Sequence, residues 1–372
     1  MAFHLGCLRA LHDRGILEKV SVLSGVSGGS VIAALYAYHD EPFENFERRV
    51  ERTLARGMLW GIAREIFFSA ETPKIVFTIL TGGIAAVFGR LVQITVAPLG
   101  WLRLTGAKTA AFLQSLSAPV PRFASRTTAF ERHLSRVHFN EQRLNEVRRE
   151  NLKVVINAAE LRTETAFRFG SMESGCWRFG RLVEVPSVAT AVAASAAFPA
   201  FLPAIDRRLA FDRNGVHEKH RVLITDGGVY DNLGISCMLP GRDSAFSTNA
   251  HPVDYIIACD AGQGMPAGTR RPYFLWARML ATVFTIHRRM QTMSFDLLHR
   301  MEASGEIKGF LLPYLGMSDS RIPAPPADLV TREETAGYPT NFNPMSEEDI
   351  ESLSKRGEQI TNALLEAYAP HL

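Results

Sequence analysis

Apolar positions along the chain alternate between short β-branched runs and longer runs with helical spacing. The first such pair is the strand-like Val20–Leu23 followed by the helix-like Ser30–Tyr38. Further patterns of buried strands occur at Leu152–Ala158, Arg221–Thr225 and Val253–Asp260, with helical patterns between them. Strands that alternate with helices predict an α/β fold, in which a mostly parallel central sheet carries helices on both faces.

The turn between the first strand and its helix carries the pattern Gly-x-Ser-x-Gly at Gly25, Ser27 and Gly29. A serine on a sharp strand-to-helix turn is typical of a hydrolase nucleophile, because its Oγ then stands clear of the backbone. The flanking glycines are expected to let the strand and helix pack closely without Cβ clashes. The N–H of Gly28 and the helix N-terminus would favour negative charge beside the serine. A glycine-rich turn that holds a serine by chance is the alternative interpretation.

A second candidate element, Asp226-Gly227-Gly228, follows the predicted strand Arg221–Thr225. A nucleophilic serine needs a base, and α/β sheets place their active sites at the carboxyl ends of buried strands. Asp226 is therefore the candidate base, and Asp260, after the next strand, is the alternative acid. An aspartate that only caps a turn is the structural alternative.

The segments Gly25–Gly29 and Asp226–Gly228 resemble the motifs of the patatin-like phospholipase family. The block Ala194–Pro203 is similar to the small-residue helix and proline turn that precede the family's aspartate strand. The resemblance covers roughly residues 1–40 and 150–262. Several blocks in the same order make it more specific than either motif alone.

The resemblance implies a three-layer α/β fold and a Ser–Asp dyad without histidine. Ser27 would attack a lipid acyl ester, Asp226 would serve as the base, and water would hydrolyse the acyl-enzyme. No metal ion or cofactor is implied. The implied site comprises the catalytic pair, the elbow glycines and the glycines of the acid loop: Ser27, Asp226, Gly25, Gly28, Gly29, Gly227 and Gly228.

The family's glycine-rich oxyanion loop, which would precede the first helix, has no counterpart in this sequence. Because Met1–Gly6 has the pattern of a mid-helix segment, we expect a native chain that extends upstream of Met1. A truncated, poorly active form is the alternative, since the loss of one oxyanion donor costs about 10²–10³ in rate.

The pattern of elements predicts a catalytic domain over residues 1–320, with a helical apolar insertion at about 58–125. A proline-rich linker over 321–345 follows, and a C-terminal helix within 346–372 is expected to pack on the same domain.

The segment Ile75–Trp101 is the most apolar of the chain and carries one charge, Arg90. A buried helical hairpin or lid is one interpretation, and an interfacial membrane segment is the other. A transmembrane helix is disfavoured because Arg90 would lie near its middle. Peripheral contact with a membrane is therefore an expected partner interaction, besides the lipid ester substrate.

Two neighbouring groups of side chains could either belong to the ordinary core and surface of the protein or contact lipid. The aromatic residues Trp60, Phe67 and Phe68 are expected in the core rather than in an acyl groove. An Arg-rich helical face is expected to be solvated, with contact to anionic head groups as its alternative. That face comprises Arg48, Arg49, Arg52 and Arg56.

Composition bears on the class of partner and on the cellular compartment. The chain has 372 residues, with 41 Lys and Arg against 38 Asp and Glu, so its net charge of +3 does not favour nucleic acid as a partner. Its four cysteines form no CxxC pair and no zinc-type spacing, which indicates reduced thiols in a cytoplasmic protein.

Two other functions are alternatives to a Ser–Asp lipid acyl hydrolase. A Ser-Asp-His hydrolase would draw its histidine from His251, His287 or His299, which follow Asp226 in the chain. His287 and His299 lie in an Arg-rich helical pattern that indicates surface positions, and His251 precedes a strand. The other rival is a catalytically impaired, membrane-binding patatin-like protein.

Overall fold

The computed structural model describes residues 1–101, 106–116, 120–199, 201–243, 247–262, 264 and 271–372. The described helices are α1 (Ala2–Asp13), α2 (Gly28–Ala37), α3 (Phe43–Arg56), α4 (Leu59–Phe67), α5 (Glu71–Trp101), α6 (Ala107–Ser115), α7 (Arg126–Leu134), α8 (Val188–Ser195), α9 (Leu275–Ala303), α10 (Arg332–Thr335) and α11 (Glu347–Tyr368). The described strands are β1 (Val22–Val26), β2 (Lys153–Glu160), β3 (Thr165–Gly170), β4 (Ser174–Cys176), β5 (Gly180–Leu182), β6 (Ile205–Arg213), β7 (Val216–Asp226), β8 (Tyr255–Ile257) and β9 (Gly309–Leu311).

Strands β1 to β7 form one sheet that closes on itself, because β7 pairs with β2. Only β1 and β2 pair in parallel within it, and the other neighbours are antiparallel. The prediction of a mostly parallel sheet is therefore wrong for these strands. Connections of two to four residues explain the antiparallel pairing from β2 to β5 and of β6 with β7, since a tight turn can join only antiparallel neighbours. The turn between β6 and β7 is Asn214-Gly215, with φ of 56° and 82°, a signature of tight hairpins.

Strand β2 aligns β1 and β7 end to end along one of its edges. Its other edge pairs with β3 from Val155 to Glu160. On the shared edge, Val26 at the end of β1 pairs with Asn157, and Asp226 at the end of β7 pairs with Ala158. The carboxyl ends of β1 and β7 therefore meet at consecutive residues of β2, although they are far apart in sequence.

Helices α2 and α8 pack beside this meeting point and are buried along most of their length. On another side of the core, α11 packs against α1. A Cβ at Gly6 would lie 1.7 Å from the Ser354 carbonyl oxygen, so the two helices cross at a distance that requires glycine. Strands β8 and β9 form a separate parallel pair, extended by a bridge between Asp260 and Tyr314.

Helix α5 is a single continuous helix of 31 residues, so the predicted buried hairpin is wrong. The Gly82-Gly83 pair does not break it, because a glycine costs a helix only about 1 kcal/mol. Its stretch Glu71–Val96 is long and apolar enough to cross a membrane, and only 17% of the most apolar window is buried.

The neighbouring helix α4 and the residue that follows it also expose large side chains. Trp60 is 77% exposed, Phe67 64% and Phe68 85%. The expectation that these three aromatic residues belong to the core is therefore wrong. Exposed and buried apolar residues have the same helical spacing, so the sequence could not show that these three are exposed. None of the described elements covers them.

Candidate active site

Ser27 occupies the turn between β1 and α2 in a backbone conformation that non-glycine residues rarely adopt. Its φ is 52° and its ψ −124°. Such a conformation costs about 1–3 kcal/mol and persists only where surrounding contacts fix it. Here the Ser27 carbonyl accepts hydrogen bonds from the N–H and the Oγ of Ser30, at 3.0 and 2.6 Å. The turn is therefore a strained elbow that lifts the Ser27 side chain out of the strand.

Close packing of the strand against the helix depends on the first glycine of the motif. A Cβ at Gly25 would lie 2.7 Å from the Ser30 Cα, which real structures do not tolerate. Gly28 and Gly29 have no neighbouring atom within 4 Å of such a Cβ. The packing role predicted for the glycines thus holds for Gly25 and is wrong for Gly29.

The start of α2 supplies hydrogen-bond donors beside Ser27. Gly28 and Gly29 begin the helix, so their N–H groups have no acceptor within it. The N–H of Ser27 itself donates to the Oγ of Ser195 at 3.0 Å, at the end of α8. The free donors and the helix dipole favour an anion at this point.

Asp226 ends β7 and is only 2% exposed. Its Oδ1 accepts a hydrogen bond from the Gly228 N–H at 2.7 Å. Its Oδ2 is buried and has no hydrogen-bond partner among the described residues. One oxygen is therefore fixed by the backbone, and the other is left available.

Burial raises the pKa of the Asp226 carboxyl from 3.8 to about 6. The Ser27 hydroxyl and the Gly228 N–H act in the opposite direction and lower this pKa by smaller amounts. The Ser27 hydroxyl is thus close enough to influence the carboxyl, although Oδ2 has no formed hydrogen bond among the described residues. A carboxylate with a pKa near neutrality can accept a proton and release it again.

The acid loop approaches β2 so closely that it needs glycine. A Cβ at Gly227 would lie 2.3 Å from the Asn157 carbonyl oxygen. Beyond the loop, the Asp231 carboxylate accepts hydrogen bonds from the N–H groups of Gly234 and Ser236, at 3.0 and 2.8 Å. The first contact places the loop against β2, and the Asp231 contacts fix the conformation of the loop itself.

Several residues that support the site were missed in the sequence. The Ala197 carbonyl, just after α8, accepts hydrogen bonds from the Asp226 N–H at 3.2 Å and the Thr225 Oγ1 at 2.7 Å. With Ser195, it ties the end of α8 to both candidate residues. The resemblance of Ala194–Pro203 to a family block was the one signal that marked this segment. Beside it, Asn157 Nδ2 donates to Ser24 Oγ at 2.7 Å.

Asp260, the alternative acid, lies in a different environment. Its Oδ1 accepts from the Gly262 N–H at 2.9 Å, and its Oδ2 accepts from the Gln291 side chain. Both oxygens are engaged, whereas Asp226 keeps one free. The geometry therefore favours Asp226 over Asp260 as the group that faces Ser27.

The three candidate histidines do not bond to the Asp226 carboxylate in the described part of the chain. His287 is half-buried, and its Nδ1 lies 3.1 Å from the Gly228 carbonyl oxygen, so it contacts the acid loop through the backbone. The ring of His299 packs edge-on against Phe310. The N–H of His251 donates to the Cys237 carbonyl. The described contacts thus form no Ser-Asp-His arrangement.

The family model for patatin-like phospholipases matches residues 1–237 of this chain. The chain belongs to the patatin-like phospholipase family. The resemblance noted in the sequence is thereby confirmed, as is a patatin-like α/β fold. VipD from Legionella pneumophila, known from a crystal structure, is similar over 98% of this patatin-like chain, at 13% identity and a TM-score of 0.39. The match covers 64% of VipD. No curated protein matches the chain.

Within the residues that the structure describes, no group of three or more His, Cys, Asp or Glu side chains is placed to hold a metal ion. The four cysteines are free thiols, and Cys7, Cys176 and Cys237 are buried.

The two outer glycines of the patatin-like elbow are expected to differ sharply in their tolerance of alanine. Gly25→Ala forces a Cβ to 2.7 Å from the backbone of Ser30, so we expect a loss of at least about 2 kcal/mol in unfolding free energy. Gly29→Ala adds a Cβ in open space within α2 and should be neutral or stabilise by up to about 1 kcal/mol. Urea unfolding measures both, and equal losses would contradict the packing role of Gly25.

Proposed function

We propose that the chain is a lipid acyl hydrolase in which Ser27 is the nucleophile and Asp226 the base. The observation that carries the proposal is the buried, unpartnered Oδ2 of Asp226 beside a serine held in a strained elbow. Membership of the patatin-like phospholipase family supports a lipid ester as the substrate.

In the proposed reaction, Asp226 takes the proton of Ser27 as the Oγ attacks the ester carbonyl. The N–H groups at the start of α2 donate to the oxyanion that forms. Asp226 then passes its proton to the departing alcohol, which leaves an acyl-enzyme on Ser27. A water molecule, deprotonated by Asp226, attacks the acyl-enzyme. The bond to Ser27 Oγ breaks, the fatty acid leaves, and Asp226 returns the proton to the Ser27 Oγ.

The pH dependence of hydrolysis tests this role of Asp226. The base must be ionised, and burial raises its pKa to about 6, so kcat/KM should fall about tenfold for each pH unit below that value. The measurement is hydrolysis of a short-chain p-nitrophenyl ester from pH 4.5 to 8.5, with stability monitored in parallel. A profile that remains flat down to pH 4.5 would contradict Asp226 as the base.

Charge is distributed in a way that favours membrane attachment. No Asp or Glu occurs in residues 72–130 or 261–295, which carry six and five Lys or Arg. The remaining residues have 30 Lys and Arg against 38 Asp and Glu. These two segments include most of α5 and the first half of α9, and α9 buries no described residue before Gln291. We propose peripheral attachment of a cytoplasmic protein to an anionic bilayer, since apolar and cationic residues together suit that surface.

Vesicle binding should depend on the exposed face of α5. Phe77, Ile84 and Phe88 are 59%, 70% and 67% exposed and lie on one side of the helix. Replacing all three with serine should weaken co-sedimentation with anionic vesicles by at least about tenfold, because their transfer into lipid is lost. The matched control replaces Trp177 and Tyr368, which are 54% and 64% exposed. Undiminished binding of the α5 variant would exclude this face.

Membrane binding without catalysis is the second candidate function, which the exposed face of α5 favours. It predicts normal vesicle binding and no ester hydrolysis by the wild-type chain. The two assays above separate it from the hydrolase.

A further inference from the structure

A cleft of about 760 Å³ lies between α3, α4 and the end of α7. Its volume is within the range of sites that bind small molecules. Among its described lining residues are five arginines and a single carboxylate, Glu41. The arginines are Arg48, Arg49, Arg52, Arg56 and Arg64.

The carboxylate in the cleft neutralises only one of these arginines. Glu41 is bound by both Nε and Nη2 of Arg49, each at 2.8 Å. Arg64 lies 4.0 Å from Glu65, but that carboxylate is closer to Arg132 and Arg136, at 3.2 and 2.6 Å. Four guanidinium groups therefore face the cleft without a carboxylate of their own.

Three of these groups repel one another along α3. Arg48, Arg52 and Arg56 are spaced four residues apart, where like charges destabilise a helix. Within the described part of the chain, none of them has an ion pair within 4 Å, and Arg48 bonds only to Asn45 and the Glu44 carbonyl. A bound anion would convert this repulsion into attraction.

A buried histidine in the wall of the cleft offers a further polar atom. His133 is 8% exposed, and its Nδ1 has no hydrogen-bond partner among the described residues. The α4 backbone packs directly on its ring, since a Cβ at Gly61 would lie 2.1 Å from it. An imidazole nitrogen can donate to an anionic oxygen.

The cleft opens beside apolar surface. Trp60 lines the cleft and is 77% exposed. Phe67 and Phe68, at the end of α4, are also exposed, and the neighbouring Ile66 packs against the cluster that contains Ile75 of α5. An anion in the cleft would therefore lie next to the helices proposed to contact lipid.

We propose that this cleft binds a ligand with at least two phosphate groups, such as the head group of a polyphosphorylated inositol lipid. Guanidinium groups bind phosphate in a forked, bidentate geometry. Four uncompensated arginines match two or more phosphates better than one. A free inositol phosphate has the same chemistry, and the assignment to a lipid head group rests on the proposed membrane attachment.

Calorimetry with inositol trisphosphate and with inorganic phosphate tests the cleft directly. The variant Arg56→Gln/Arg64→Gln should weaken trisphosphate binding at least about tenfold, because two charge-assisted contacts to phosphate are lost. The control variant Arg178→Gln/Arg208→Gln removes two exposed arginines near the β-sheet, away from both the cleft and the proposed membrane face, and should bind like the wild type. Circular dichroism and thermal unfolding verify that both variants are folded.

A second measurement identifies the source of the ligand. Phosphatidylcholine vesicles with a phosphatidylinositol bisphosphate are compared with vesicles of equal charge made with phosphatidylserine. Preference for the bisphosphate vesicles, lost in the cleft variant, supports a head-group site, and binding of soluble trisphosphate alone supports a site for the free anion. No trisphosphate binding, or equal binding by wild type and cleft variant, overturns the proposal. Because binding by Ser27→Ala should equal that of the wild type, the result does not depend on hydrolysis.

Discussion

Replacing Ser27 with alanine or glycine is expected to reduce ester hydrolysis by at least about 10⁴-fold, because removal of a nucleophile leaves only binding and oxyanion contacts. The two variants should differ in stability. With φ at 52° and ψ at −124°, position 27 strains any residue that carries a Cβ. Glycine adopts this conformation without that strain, so Ser27→Gly should unfold with a free energy about 1 kcal/mol higher than Ser27→Ala.

Both outcomes are measured on the same preparations, by p-nitrophenyl ester hydrolysis and urea unfolding. Ser30→Ala is the matched control, because it removes a hydroxyl that bonds to the Ser27 carbonyl at 2.6 Å without removing the nucleophile. We expect it to keep measurable activity. If Ser27→Ala retained more than about 1% of the wild-type rate, Ser27 would not be the nucleophile.

Asp226→Asn should abolish activity and at the same time stabilise the protein at pH 8. The amide cannot accept the Ser27 proton, so kcat/KM should fall by about 10³–10⁴-fold. A rise of the Asp226 pKa from 3.8 to about 6 on folding corresponds to a cost of about 3 kcal/mol for burying the carboxylate at that pH. An uncharged asparagine avoids this cost.

The sign of this effect follows from which state holds the proton. Since the pKa of Asp226 is higher in the folded protein, the native state binds the proton more tightly. Wild-type stability should therefore fall as pH rises between 3.8 and about 6. The advantage of Asp226→Asn should be full above pH 7 and absent below about pH 3.8. Asp254→Asn, at an exposed ion pair with Lys308, should change stability by less than about 0.5 kcal/mol. A destabilised Asp226→Asn at pH 8 would contradict the buried-carboxylate account.

The sequence allowed the elbow and the acid loop to be predicted, because each is a local pattern of glycines around one functional residue. It also placed Asp226 at the end of a strand, as the structure does. The direction of most strands was not predictable from the same information. Strand pairing depends on contacts between distant segments, and patterns of burial do not distinguish parallel from antiparallel neighbours.

Exposure of the apolar helices was equally hidden from sequence reasoning. A helix such as α5, apolar on all sides, has the same pattern in a protein core and in a membrane. The arginine face of α3 raises a similar difficulty. Its spacing indicates a cationic stripe, but only the placement of α4 and His133 opposite it creates a cleft.

The end-to-end arrangement of β1 and β7 on β2 has a consequence for biosynthesis. The strained serine can form early, since β1 and α2 lie within the first 37 residues. Its acid arrives only when β7 docks on β2, after residue 226 has been made and after contacts of large sequence separation have formed, which are slow to form. A nascent or prematurely terminated chain would therefore carry a nucleophile without its base. If Ser27 and Asp226 act as proposed, the fold would therefore delay hydrolytic competence until the chain has been largely synthesised.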